Sequence, residues 1–315
     1  MQFTAVAKVL GVSEFNICMY LREMRSTSLF LLLAGIILGL FPSCSHANKG
    51  AVPLASNLTS GPPPAAFDLI FGGRGNYQYV NVFGVHVVGS NGSKKNKFLH
   101  MAHVLAQYLD NDEDGQVDDL SVLAEMTNPA HPAAMVMFKN ESEANQILNQ
   151  YGHFMDRFRW QELFAFECHP GGSSAQVGFD ATLEEVLHLV SDTGWAEAYP
   201  AAFGTQNNNL SELCQAMDLA RGGHFNNVPN NYPPNAWYHY DDQTCDYGCQ
   251  ATEYFYWLLT SILGAQDYPG RCNEIYNEWE CCTPASVQST DTAGWNLMHD
   301  PRFNLPTVLP DGSYQ

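Results

Sequence analysis

Apolar and polar positions alternate with two different periods along this chain. Tyr77 to Val88 alternates every second residue and is rich in Val and Tyr, which predicts a strand. Asn91-Gly92-Ser93 then predicts a turn. Residues 97–109, KFLHMAHVLAQYL, place Leu99, Ala102, Leu105, Ala106 and Leu109 on one side at helical spacing. A short buried strand is expected over Ala134–Phe138, a helix over Glu141–Tyr151 and a strand over Leu163–Glu167. After the loop Gly172-Ser173-Ser174, residues 181–190 return to helical spacing, with Leu183, Val186, Leu187 and Val190 inward. Thr182 and Glu185 stand at capping-box spacing and predict where that helix begins. Helices follow near 209–221, 250–263 and 270–280, with an Asn- and Pro-rich loop among them and an extended tail at 305–310. The pattern gives an α+β chain whose strands come early.

The first 66 residues follow other rules. LFLLLAGIILGLF, residues 29–41, is one apolar run, short beside the roughly 20 residues of a membrane span. With Arg22 and Arg25 before it and Ser45-His46-Ala47 after it, the run matches a signal peptide over 1–47, with Met24 as a possible start. The alternative is an uncleaved membrane anchor. Residues 48–66, ending in Gly61-Pro62-Pro63-Pro64, predict a flexible linker. Export agrees with sequons at Asn57, Asn91, Asn140 and Asn209. It also agrees with the seven cysteines after the cleavage site, of which most should pair and one is left over. From Asn48 onward 11 Lys and Arg face 31 Asp and Glu. Such acidity excludes nucleic acid and anionic membrane surfaces as partners and suits a protein that binds cations.

Chemistry concentrates on the helix at 181–190. Glu184 and His188 are four apart on one flank and can reach a single point, with Glu185 beside them. The bland alternative is a solvated helix side with one weak pair. The spacing, E-E-x-x-H, resembles the zincin motif H-E-x-x-H with a glutamate in place of the first histidine. In that motif two side chains hold zinc and the glutamate in second position acts as general base, here Glu185. A carboxylate is an acceptable zinc ligand, though it lowers the positive charge of the site.

The resemblance to zincins of the gluzincin type implies more. It implies a mixed sheet with backing helices over 67–195, a mostly helical half over 196–315 and a cleft between the two halves of one catalytic unit. It also implies a third ligand from a glutamate on a later helix. Glu253, the lone acid in the apolar stretch 251–257, fits that place; otherwise it is a helix N-terminal carboxylate. Tyr238, His239 or Tyr240 would stabilise the oxyanion. Asp192, four after His188, would orient its ring. His100 and His103, one turn apart on the helix at 97–109, are weaker candidates.

A second signal is local. Residues 110–119, DNDEDGQVDD, carry carboxylates at loop positions 1, 3, 5 and 9, glycine at 6 and an apolar residue at 8. This resembles an EF-hand or dockerin calcium loop, with Asp110, Asp112, Asp114, Gln116 and Asp118 as binding residues. Position 12 is Ser121 instead of a bidentate glutamate, and Asp118 or Asp119 is the substitute. The alternative is an acidic cap between two helices.

The expectation is a secreted, zinc-dependent, peptidase-like hydrolase with a structural calcium site, acting on a peptide or small molecule. It would have no nucleic-acid partner and no stable membrane association after cleavage. The rival is a non-catalytic secreted calcium-binding structural or adhesion protein on a degenerate zincin scaffold.

Overall fold

The alternation at 77–88 folds as a hairpin and not as one strand. β1 (Tyr77–Val82) and β2 (Val85–Ser90) pair antiparallel, with Val82 opposite Val85. The two-residue loop holds Phe83 and Gly84 at φ 51° and 103°. Tight hairpin loops demand positive φ at both central residues, and the usual Asn-Gly signal is missing here. A bulky Phe in that conformation hid the turn from the sequence pattern. The computed structural model describes residues 61–206 and 210–314, which belong to one compact unit. The apolar run at 29–41 lies outside the described residues, as do most of the expected linker and the sequons at Asn57 and Asn209.

β3 (Ala133–Phe138) and β4 (Arg159–Phe164) complete a four-stranded mixed sheet in the order β1-β2-β3-β4, with β2–β3 and β3–β4 parallel. β4 begins four residues before the predicted strand, because Arg159 to Phe164 pair with Ala133 to Phe138. All six residues of β3 are buried, as expected for a strand covered on both faces. Ala133, Met135 and Met137 join the larger core with α2 (Lys95–Leu109) and α5 (Thr182–Val190). Ala134, Val136 and Phe138 face α1 (Ala65–Ile70) and α4 (Glu141–Tyr151). α1 begins at Ala65, inside the stretch assigned to the linker.

α3 (Leu120–Met126) is capped by the Asp119 side chain. Beyond β4 the described residues contain only isolated bridges and helices; after α5 the longer ones are α6 (Glu212–Ala220), α7 (Tyr247–Ile262), α8 (Pro284–Thr290) and α9 (Thr292–Met298). The fold is therefore α+β with an early mixed sheet and a helical later half. The predicted helix at 270–280 reduces to one turn at Arg271–Glu274, and α8 and α9 had no strong periodic signal. No helix among the described residues is long and apolar enough to cross a membrane.

Disulfides join Cys245 to Cys249 and Cys272 to Cys282, a chemistry of oxidising compartments. Among the described residues three thiols stay unpaired, not one: Cys168, Cys214 and Cys281, all buried.

Candidate metal centre

α5 buries Leu183, Val186, Leu187 and Val190, which turns the Glu184–His188 flank toward α7. The capping box does not form. Ala181 is the cap residue and offers no side-chain bond, and Thr182 is the first helical residue. The Thr182 N–H goes instead to Asp180 Oδ1, 3.2 Å away. This leaves the Glu185 carboxylate for other partners. α7 starts at Asp246, whose side chain accepts from the Cys249 N–H at 3.0 Å.

α7 packs against α5 and brings Glu253 to His188. One ligand atom from each of Glu184, His188 and Glu253 lies within 4.8 Å of the others. His188 Nε2 is 3.4 Å from Glu253 Oε2, at an angle that makes no hydrogen bond, and it is buried without another partner. A buried ring nitrogen that meets Glu253 at ion-pair distance, completes no hydrogen bond and has Glu184 close by fits a cation site. His188 Nδ1 faces Glu185 Oε2 at 3.5 Å, and Gln161 Nε2 of β4 donates to that same oxygen at 2.6 Å.

Two tyrosines stand beside the outer ligands. Tyr256 lines the same cavity as Glu184, and its hydroxyl lowers that carboxyl. Gln266 Nε2 donates to the Tyr256 oxygen at 3.1 Å, and Arg271 Nε donates to Gln266 Oε1 at 2.8 Å. Glu253 stands near Tyr240 and, after burial, raises that phenol further. Burial raises the Glu184 carboxyl, and Glu253 raises it further. Burial alone would lower His188, but Glu253 and Glu185 overcome it and hold the imidazole well above its usual value.

A cleft of about 920 Å³ opens on this centre, lined by His188, Glu253, Asp192 and, from β4, Arg159, Trp160 and Gln161. Glu184 borders a separate cavity of about 280 Å³ with Tyr256 and Arg271. The remaining candidates are placed as follows. Tyr238 is fully buried and donates to the Gln250 carbonyl at 2.8 Å. His239 Nε2 lies 3.0 Å from the Ala236 carbonyl, with Glu280 3.9 Å from its Nδ1. Tyr238, His239, Tyr240 and Glu185 are not among the cleft-lining residues. Asp192 does line the cleft, and desolvation together with Glu197 raises its carboxyl. Pattern reading missed Tyr256 and Gln161. Tyr256 stands one turn after Glu253 and was open to inference, whereas Gln161 reaches the site only through the sheet.

In the acidic loop, Asp110, Asp112 and Asp118 bring carboxylate oxygens within 4.8 Å of one another. Gly115 takes φ 84° at loop position 6, where the chain turns sharply. Asp114 lies outside this group and accepts from the Gln116 N–H and side chain at 2.8 and 3.1 Å. Asp119 accepts from the Ser121 and Val122 N–H groups and from Tyr199, so it serves α3. Burial raises Asp118 to about 6, with further upward pressure from Asp112, Asp110 and Asp114. The C-terminal tail crosses the loop: Tyr314 donates to Asp110, and Asn111 accepts from the Thr307 and Val308 N–H groups at 2.9 and 2.8 Å.

No family model matches this chain, and no curated protein or solved structure matches it either.

Proposed function

We propose that this chain is a secreted, zincin-like, metal-dependent hydrolase of peptidase type. The observation that carries this reading is the convergence of Glu184, His188 and Glu253 from two helices at the wall of a cleft, around a buried imidazole nitrogen that completes no hydrogen bond. These three would hold zinc or a similar divalent ion. When bound, the ion supplies Lewis-acid polarisation and a lowered pKa for water. The protein side chains do the rest. Glu185, on the Nδ1 side of His188 and fastened by Gln161, fixes the tautomer that leaves Nε2 open to a ligand. That role differs from the general base expected from the motif. Asp192 is the carboxylate placed on the cleft wall to accept a proton. β4 is an edge strand lining the cleft, so an extended peptide can pair with its backbone.

The test is metal analysis and hydrolysis assays on purified protein reconstituted with Zn²⁺. We expect tight binding that His188→Ala removes. No bound transition metal after reconstitution would overturn the reading.

The acidic loop favours a companion proposal, a structural Ca²⁺ site at Asp110, Asp112 and Asp118, steadied by the C-terminal tail. If the first site holds no metal, this second site leaves a non-catalytic calcium-binding structural protein. Glu184→His discriminates the two. Gain of zinc affinity and hydrolysis marks a zincin scaffold, and loss of stability alone marks a structural helix.

A further inference from the structure

A different cluster sits where the sheet hands over to α5. His100 lies on α2, Cys168 follows β4, and Asp180 stands two residues before α5. All three are buried, at 4%, 0% and 1% exposure. One ligand atom from each lies within 4.8 Å of the others, and among the metal-competent groups of the described residues this one alone contains sulfur. His100 Nε2 is 2.7 Å from Asp180 Oδ2. Asp180 Oδ1 accepts the His169 and Thr182 N–H groups at 2.8 and 3.2 Å, so the carboxylate is fixed with Oδ2 toward His100. The Cys168 thiol has only a long contact, 3.7 Å, to the Lys97 carbonyl. The Thr182 hydroxyl, wholly buried beside Cys168 and Asp180, completes no hydrogen bond of sound geometry. Gly312 of the tail closes the far side of the ring, where any Cβ would overlap His100 Nδ1.

We propose that His100, Cys168 and Asp180 form a second transition-metal site, structural in role and of the kind zinc occupies, which clamps α2 to the segment leading into α5. A thiolate, an imidazole nitrogen and a carboxylate are a borderline-soft donor set. It suits zinc and serves a hard cation such as Ca²⁺ poorly. One thiolate and one carboxylate neutralise a divalent ion, which is the charge state a site without solvent tolerates. Binding releases the thiol proton and the proton held between His100 and Asp180. Ligands about 2.0–2.2 Å from a tetrahedral ion stand roughly 3.3 Å apart, so the His100–Asp180 contact opens by about half an ångström. The Tyr108 hydroxyl already ties α2 to the Leu183 carbonyl at 2.7 Å, and the ion adds a second tie beside the Glu184–His188 turn.

Cobalt(II) is the probe, supplied to the chelated, purified protein during refolding with its disulfides intact. One equivalent per chain should give a thiolate-to-cobalt charge-transfer absorption. The Glu184–His188–Glu253 centre has no sulfur and cannot produce that absorption, so Glu253→Gln should keep it. Cys168→Ser and His100→Ala should abolish it. Where those variants do not fold, X-ray absorption of zinc-loaded wild type decides. It should show one sulfur at about 2.3 Å together with an imidazole nitrogen. Absence of both the sulfur band and the sulfur scatterer in folded protein with an intact Cys168 thiol would overturn the site, as would a band that survives Cys168→Ser.

Discussion

The α5–α7 centre and the acidic loop at 110–119 both gather three ligand groups within 4.8 Å, but they are built in opposite ways. The loop takes its carboxylates from nine consecutive residues, and its own N–H groups fix them: Asp110 accepts from Asp114 and Gly115, and Asp118 from Asn111. The centre takes two ligands from one helix turn and the third from a helix far along the chain. Tyr256 and Tyr240 stand beside its glutamates, and Gln161 bonds Glu185 next to it. A loop of hard, partly solvated oxygens suits an ion that tunes stability. An imidazole on rigid helices at a cleft suits one that takes part in chemistry. The loop should therefore report in melting curves, and the centre in metal affinity and rate.

The largest effect should come from His188→Ala, which removes one of three ligands and should weaken zinc about a thousandfold while leaving the calcium response intact. Equilibrium dialysis against zinc checks this, and a loss of calcium response as well would merge the two regions. Next, Glu185→Gln should weaken zinc about 10–100-fold through the orientation of His188. Asp192→Asn should instead lower kcat with metal content unchanged. Metal analysis beside kinetics separates them, and the reverse pattern would return the base role to Glu185.

In the loop, calcium at a hundred times its Kd should add about 2.7 kcal/mol of stability, a rise in Tm of roughly 5–10 °C for a chain of this size. Asp112→Ala should abolish that rise, as scanning calorimetry would show. The pH response follows from the raised carboxyl of Asp118, at about 6. The folded state holds that proton more tightly than the unfolded one. Chelated protein should therefore gain stability as pH falls from 7 through 6, and calcium affinity should drop over the same window. Asp118→Asn should flatten both trends. Smallest is Tyr314→Phe, which removes the hydroxyl that bonds Asp110. It should cost about 1 kcal/mol, read from denaturant midpoints in chelated protein.

Legibility in the sequence followed the same divide. The loop was readable because its geometry is local: a glycine at the sharp turn and carboxylates at alternate positions. The Glu184–His188 pair was readable because one helical turn fixes the spacing, and Glu253 because a lone acid in an apolar helix needs a partner. Gln161, Tyr256 and the Nδ1 placement of Glu185 depend on how α7 and β4 pack against α5, which no periodicity encodes. The early sheet and helical later half could be read from the pattern. The hairpin at Phe83-Gly84 could not, since a Phe with positive φ breaks the usual turn chemistry. The cysteine count suggested pairing but not which thiols stay apart, because connectivity is set by tertiary position.

The central claim is that helices α5 and α7 share one ion through His188 and Glu253. Calorimetric titration of chelated protein with Zn²⁺, comparing wild type with Glu253→Gln, tests it most directly. Glutamine keeps the shape of the side chain and removes its charge, so the variant should stay folded. The account predicts that it loses zinc affinity by about two orders of magnitude or more and that wild-type affinity climbs with pH, because the raised protons on Glu184 and His188 must leave. Equal zinc binding in the two proteins, or none in wild type, would contradict it.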